Sequence, residues 1–144
     1  MILVDTGPLV AAAIVKQPDH RACVDLFTGL QLAGRPLLVP ATVVAETGFM
    51  LEKLGGVHAE AAFIRSLAQG DLEGIDLTVS DYARMAELIT HYDDLPLGTT
   101  DASVIALAER LGVTEVATLD RRHFTVVRPR HVGALTLIPE GGPA

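Results

Sequence analysis

Cysteine is almost absent from this chain. Cys23 stands alone, which excludes an internal disulfide and with it a stapled, secreted framework. Histidine is sparse and scattered, at positions 20, 58, 91, 123 and 131, without the close pairing that a structural zinc site needs. A reducing cytoplasm is therefore the expected location. Long apolar runs are missing too: no stretch approaches the roughly 18 uninterrupted apolar residues of a membrane span. The hydrophobic opening, MILVDTGPLV, has no basic flank and contains Asp5 and Pro8, so neither a signal peptide nor a membrane helix is expected. Positive charge is in short supply. Eleven Lys and Arg against 18 Asp and Glu leave a net charge of −7, which repels a phosphate backbone taken as a whole. The basic residues are unevenly placed, however. RRHFTVVRPR holds Arg121, Arg122, Arg128 and Arg130 and no acid, and it reads either as a solvated loop with an edge strand or as a strip that holds an anionic polymer.

Apolar residues are plentiful. They make up 49% of the chain, and 13 Gly lift the apolar-plus-glycine fraction above that of an ordinary domain, so part of the surface is expected to meet another protein. The 144 residues contain no linker-like stretch and read as one domain over 1–144, with about 139–144 as a flexible tail. A chain of this size buries about two thirds of its unfolded surface without staples.

Short apolar runs at 2–4, 36–39, 75–79 and 114–119 read as strands, with TVV at 125–127 and ALTLI at 134–138 as late ones. Helical spacing covers 20–32, 41–54, 58–69, 82–92 and 99–111, with Ser80 and Asp81 as a cap and Gly70 and Gly112 as stops. Strands alternating with helices predict an α/β fold with a mostly parallel sheet. That composition weighs against an aspartic protease, which Asp5-Thr6-Gly7 would otherwise suggest. Such a site also pairs two carboxylates, and no second Asp-Thr-Gly occurs.

Four acids occupy unusual places. Asp5 and Asp120 each follow an apolar strand, where open parallel sheets bind their ligands, although either residue could simply cap a helix. Glu46 lies at the rim of a stripe formed by Val43, Thr47, Met50, Leu51 and Leu54, whereas Glu52 faces away from it. Asp101 falls close to the centre of the apolar face of Val104, Ile105, Leu107, Ala108 and Leu111. The helix dipole favours an anion there by only about 0.3–1 kcal/mol, too little to offset burial of an unpaired carboxylate. A divalent cation such as Mg2+ or Mn2+, which takes hard oxygen ligands, resolves the conflict. In its absence the four acids repel one another and their pKa values rise.

The segments VDTGPLVA, VPATVVAETGFML and YDDLPLGTTDASVIALAERLGVTEVATLDRRHF, in this order and spacing, resemble the PIN-domain family, and more narrowly its VapC-like toxin ribonucleases of type II toxin–antitoxin systems. The last segment is the most specific. The resemblance implies an α/β/α sandwich whose acidic pocket, built from Asp5, Glu46, Asp101 and Asp120, cleaves single-stranded RNA with Mg2+ or Mn2+. For metal-assisted hydrolysis, Asp5 and Asp101 are expected to hold the main ion, with Asp120 and Glu46 acting through water or on a second ion. The resemblance also implies that Thr6 and Thr118 support the metal-bound waters. Asp94 reads either as a polar loop residue after a helix or as a further member of the site, and Arg121, Arg122, Arg128 and Arg130 are candidates for the RNA backbone. A homodimer inhibited by an antitoxin is implied as well. The sequence departs from the pattern at Gly7, where many relatives carry Ser or Ala, and at His123, where an additional acid is frequent. Two rivals stand beside the nuclease. One is an inactive or repressed PIN domain acting as an antitoxin-binding co-regulator of its operon. The other is an aspartyl-nucleophile phosphatase, disfavoured because Gly7 cannot serve as its general acid.

Overall fold

A computed structural model describes residues 1–140. Among them the chain runs β1 (Ile2–Val4), α1 (Thr6–Ala13), α2 (His20–Leu32), β2 (Leu37–Pro40), α3 (Ala41–Gly55), α4 (Val57–Gln69) and β3 (Glu73–Ile75). It continues through α5 (Val79–His91), α6 (Thr99–Leu111), β4 (Glu115–Ala117), α7 (Arg121–Val126) and β5 (Thr136–Ile138). The expected tail lies, from residue 141 on, outside the described residues. Before it, the Pro139 carbonyl accepts a hydrogen bond from Arg121 at 2.8 Å.

The five strands form one sheet in the order β3-β2-β1-β4-β5, parallel throughout. Ile2, Leu3 and Val4 are all buried, as are Leu37, Leu38 and Val39. Successive strand residues point to opposite faces, so both faces at the centre of the sheet are covered by helices. This is the expected α/β architecture, and the unbroken apolar runs of β1 and β2 are its sequence signature. The chain first adds strands on one side of β1, then returns through α5 and α6 to place β4 on the other. The reversal lies between β1 and β4, and a crevice opens there beyond their carboxyl ends. Asp5 N–H donates to the Ala117 carbonyl at 2.9 Å across that junction.

Local chemistry sets the helix boundaries. Gly70 and Gly112 close α4 and α6 with φ of 85° and 68°, a left-handed turn that side chains with a Cβ disfavour. Helix α6 is buried from Ala102 to Ala108 without interruption, as suits a helix that packs on the sheet and on α5 together.

Four assignments are corrected. The strand expected at 75–79 is Glu73–Ile75, because Thr78 caps α5: it accepts from Asp81 N–H at 3.2 Å while Asp81 accepts from Thr78 N–H at 2.8 Å. Val79 thereby enters the helix with its side chain in solvent, and the cap is Thr78 rather than Ser80-Asp81. The strand expected at 125–127 is mostly the end of α7, started by Asp120 accepting from His123 N–H and held by buried Phe124. On α3, Leu54 faces solvent instead of completing the buried stripe. Helix α1, to which the sequence pattern assigns no element, begins directly at the Asp5 cap. It accepts Pro8 because an N–H in the first turn has no intrahelical partner.

Candidate active site

The crevice is a cleft of about 730 Å3 lined by, among others, Asp5, Thr6, Glu46, Asp101, Asp120 and His123. All four acids singled out in the sequence meet there, although they come from four different parts of the chain. Asp5 closes β1 and caps α1. Glu46 stands on α3, Asp101 in the first turn of α6, and Asp120 at the start of α7.

Asp5 is the most enclosed of the four, 6% exposed. Its Oδ1 accepts from Thr6 N–H at 2.8 Å and its Oδ2 from the Thr118 hydroxyl at 2.9 Å. Burial raises its pKa from an ordinary 3.8 to about 6. The two hydrogen bonds oppose that rise, and the Asp101 and Glu46 carboxylates add to it. Thr118 is buried and also accepts from Asp120 N–H at 3.0 Å, so one hydroxyl ties the β1 acid to the β4–α7 turn. Its proton is directed at Asp5.

Asp101 is also pushed upward, first by burial and further by Asp120 and Glu46, against the lowering effect of His123. His123 Nδ1 lies 2.5 Å from Asp101 Oδ2 and 3.1 Å from Asp120 Oδ2. Both partners are acceptors, which assigns the ring proton to Nδ1. One ligand atom from each of Asp101, Asp120 and His123 falls within 4.8 Å of the others. Glu46 extends from an exposed position and its Oε2 accepts from Thr100 Oγ1 at 2.6 Å.

The remaining expected residues divide. Thr6 lines the cleft and its buried Oγ1 has no hydrogen-bond partner. Asp94 is exposed and outside the lining. Arg121 and Arg122 occupy the exposed side of α7, next in sequence to Asp120. Arg130 is engaged with Glu87 at 2.9 Å, Arg128 borders a separate hollow with Tyr92 and His91, and neither lines the cleft. Two residues at the site, Thr100 and His123, were not among its expected members. Thr100 had no signal beyond adjacency to Asp101. His123 had one, its position three residues after Asp120, which brings it back over the first turn of a short helix.

At Gly7 a Cβ would lie 3.4 Å from Leu119 Cβ, an ordinary contact at the cleft floor. Gly7→Ala is therefore expected to stabilise the protein by about 0.5–1 kcal/mol, through lost freedom of the unfolded chain and better helix propensity. Urea denaturation checks it, and a lower midpoint would mean that Leu119 cannot accommodate the methyl group.

A strand-reversal crevice lined by carboxylates on a five-stranded parallel sheet is the arrangement of a PIN domain. The match to the PIN domain model spans residues 2–128, and the chain belongs to that family. It is 35% identical to Ribonuclease VapC26 of Mycobacterium tuberculosis over 141 residues, 96% of this chain and 100% of the relative. Among solved structures the fold is shared with Mycobacterium tuberculosis VapC20, a Sarcin-Ricin loop cleaving toxin. There the TM-score is 0.71 at 19% identity, over 81% of this chain and 87% of that one. It is shared too with VapBC2 from Rickettsia felis bound to a DNA fragment from their promoter, with a TM-score of 0.66 at 18% identity over 95% and 97% of the two chains. FitAcB from Neisseria gonorrhoeae gives 0.59 at 19% identity over 83% and 88%.

Proposed function

We propose that this chain is a divalent-metal-dependent endoribonuclease that hydrolyses phosphodiester bonds of single-stranded RNA and acts in the cytoplasm as the toxin of a toxin–antitoxin pair. The observation that carries the reading is the meeting of Asp5, Glu46, Asp101 and Asp120 in one open cleft, with Asp5 held at a pKa of about 6 by enclosure among like charges. The donor set suits a hard cation: carboxylate oxygens dominate, and the unpartnered Thr6 hydroxyl supplies another oxygen at the cleft wall. Asp5, Asp101, Asp120 and Glu46 would hold Mg2+ or Mn2+. When bound, the cation lowers the pKa of the attacking water and neutralises charge gathering on the phosphoryl oxygens.

The protein's own groups set the geometry. Thr118 and Thr6 N–H fix both oxygens of Asp5, Thr100 aims Glu46 across the cleft, and the Asp120 cap ties α7 to the end of β4. Arg121 and Arg122 follow Asp120 directly on α7, and their charge would draw an RNA backbone toward the acids despite the net negative charge. The expected products carry 5′-phosphate and 3′-hydroxyl ends. Large apolar side chains exposed on α3 and α4, Phe49, Leu54, Val57 and Ile64, support an antitoxin or a second copy covering part of these helices. Among the described residues no helix is long and apolar enough to cross a membrane.

Purified protein free of its partner is expected to cut RNA with Mg2+ or Mn2+ and to stop when EDTA is added. Asp101→Asn is expected to lower the rate at least about 100-fold, since even groups supporting a metal ligand contribute about 10–100-fold. Cleavage indifferent to chelator would overturn the proposal. Metal binding without cleavage, in the presence or absence of a co-expressed antitoxin, would leave the co-regulator reading in its place.

A further inference from the structure

Among the described residues, the lining of the acidic cleft includes one side-chain nitrogen donor, His123. We infer that His123 is a metal ligand through Nδ1, and that it tilts the site toward Mn2+ and later first-row ions over Mg2+. The inference rests on the metal reading of the cleft and specifies which ion the cleft prefers.

Three observations carry it. His123 Nδ1 stands between two carboxylates, 2.5 Å from Asp101 Oδ2 and 3.1 Å from Asp120 Oδ2, so its proton occupies the place where a cation's charge would sit. Moving that proton to Nε2 turns Nδ1 into a lone-pair donor facing the same space, with no change in the ring's charge. The ring is also held in place. Its backbone N–H donates to Asp120 Oδ1, and the next residue, Phe124, is buried and anchors α7 in the core. Finally, none of the other histidines lines the cleft. His20 Nδ1 bonds the Ala11 carbonyl, His131 Nε2 bonds the Val113 carbonyl, and His58 and His91 are exposed.

The consequence for selectivity follows from donor chemistry. Mg2+ takes oxygen ligands and gains little from an imidazole, whereas affinity for a site containing nitrogen rises along the first row from Mn2+ onward. A carboxylate at position 123 would make the cleft all-oxygen and remove that bias.

The test uses the full chain and Mn2+ alone. Pulsed electron paramagnetic resonance of the Mn2+-bound protein is expected to show coupling to a directly bound 14N nucleus, absent in His123→Asp. Competition of Mg2+ against Mn2+, followed by the free Mn2+ signal, is expected to show the ratio of Mn2+ to Mg2+ affinity falling about 10–100-fold in the same variant. Should His123→Asp fail to fold, the nitrogen coupling in the unaltered chain decides the matter. Mn2+ bound without nitrogen coupling would reduce His123 to a hydrogen-bond partner of the acids while leaving the metal-dependent nuclease standing. Failure of the chain to bind Mn2+ at all would remove both.

Discussion

Asp5→Asn is expected to be inactive and yet more stable than the unaltered protein. Measured in chelator at pH 7, the variant should gain on the order of 3 kcal/mol, because a carboxyl whose pKa rises from 3.8 to about 6 on folding destabilises the native state by that amount once ionised. The sign follows from proton counts. Between pH 3.8 and about 6 the folded chain holds a proton that the unfolded chain has released, so native stability falls as pH rises through this window and is level above it. An asparagine never ionises. Its advantage should therefore be full at pH 7, shrink through pH 5 and vanish near pH 4. The amide can keep both local contacts, since Oδ1 can accept from Thr6 N–H and the amino group can face the Thr118 hydroxyl, which has a lone pair to offer. RNA cleavage should fall at least about 100-fold. Thermal melts across pH and a cleavage assay read the two effects independently. A variant less stable than the parent at pH 7 would show that the enclosed carboxylate is not under electrostatic strain.

Phe124→Ala is expected to cost about 3–5 kcal/mol, the usual range for deleting a fully buried aromatic ring. Phe124 is 1% exposed and sits in α7, a helix of six residues, too short to persist without tertiary anchors. Val127, also buried, is the nearest anchor in sequence. Since α7 begins at the Asp120 cap and carries His123, loosening it should also weaken metal binding in whatever fraction remains folded. The urea midpoint measures the first effect and Mn2+ titration the second. A loss below about 1 kcal/mol would mean that α7 is held by something other than Phe124.

The sequence exposed the four acids because each breaks a local rule. Asp101 interrupts an apolar helix face, Glu46 borders one, and Asp5 and Asp120 end apolar runs where the chain must turn. That a shared cation would reconcile them was an expectation from the residues, and the resemblance to PIN domains added the reaction. His123 was visible only as a departure from that pattern. Its part in the cleft became visible from its 2.5 Å contact with Asp101, 22 residues away in the chain. Thr100 was silent for a similar reason, since its partner Glu46 lies 54 positions earlier. The basic strip read as one unit, yet the fold divides it: Arg130 is paired with Glu87, while Arg121 and Arg122 remain on the solvent side of α7. Thr125-Val126-Val127 shows the opposite failure. Its β-branched residues favour a strand, but the Asp120 cap and the burial of Phe124 outweigh that preference.

From its order of residues alone, this protein's helical and strand periods, its all-buried strands and the oddly placed carboxylates were determined, because burial repeats every two or 3.6 residues and leaves its mark within one short segment. Only the tertiary structure decided that β4 lies beside β1, and therefore that Thr118 reaches Asp5 and that the acids share a cleft. Such distances are set by strand order, a property of the whole sheet that no segment contains.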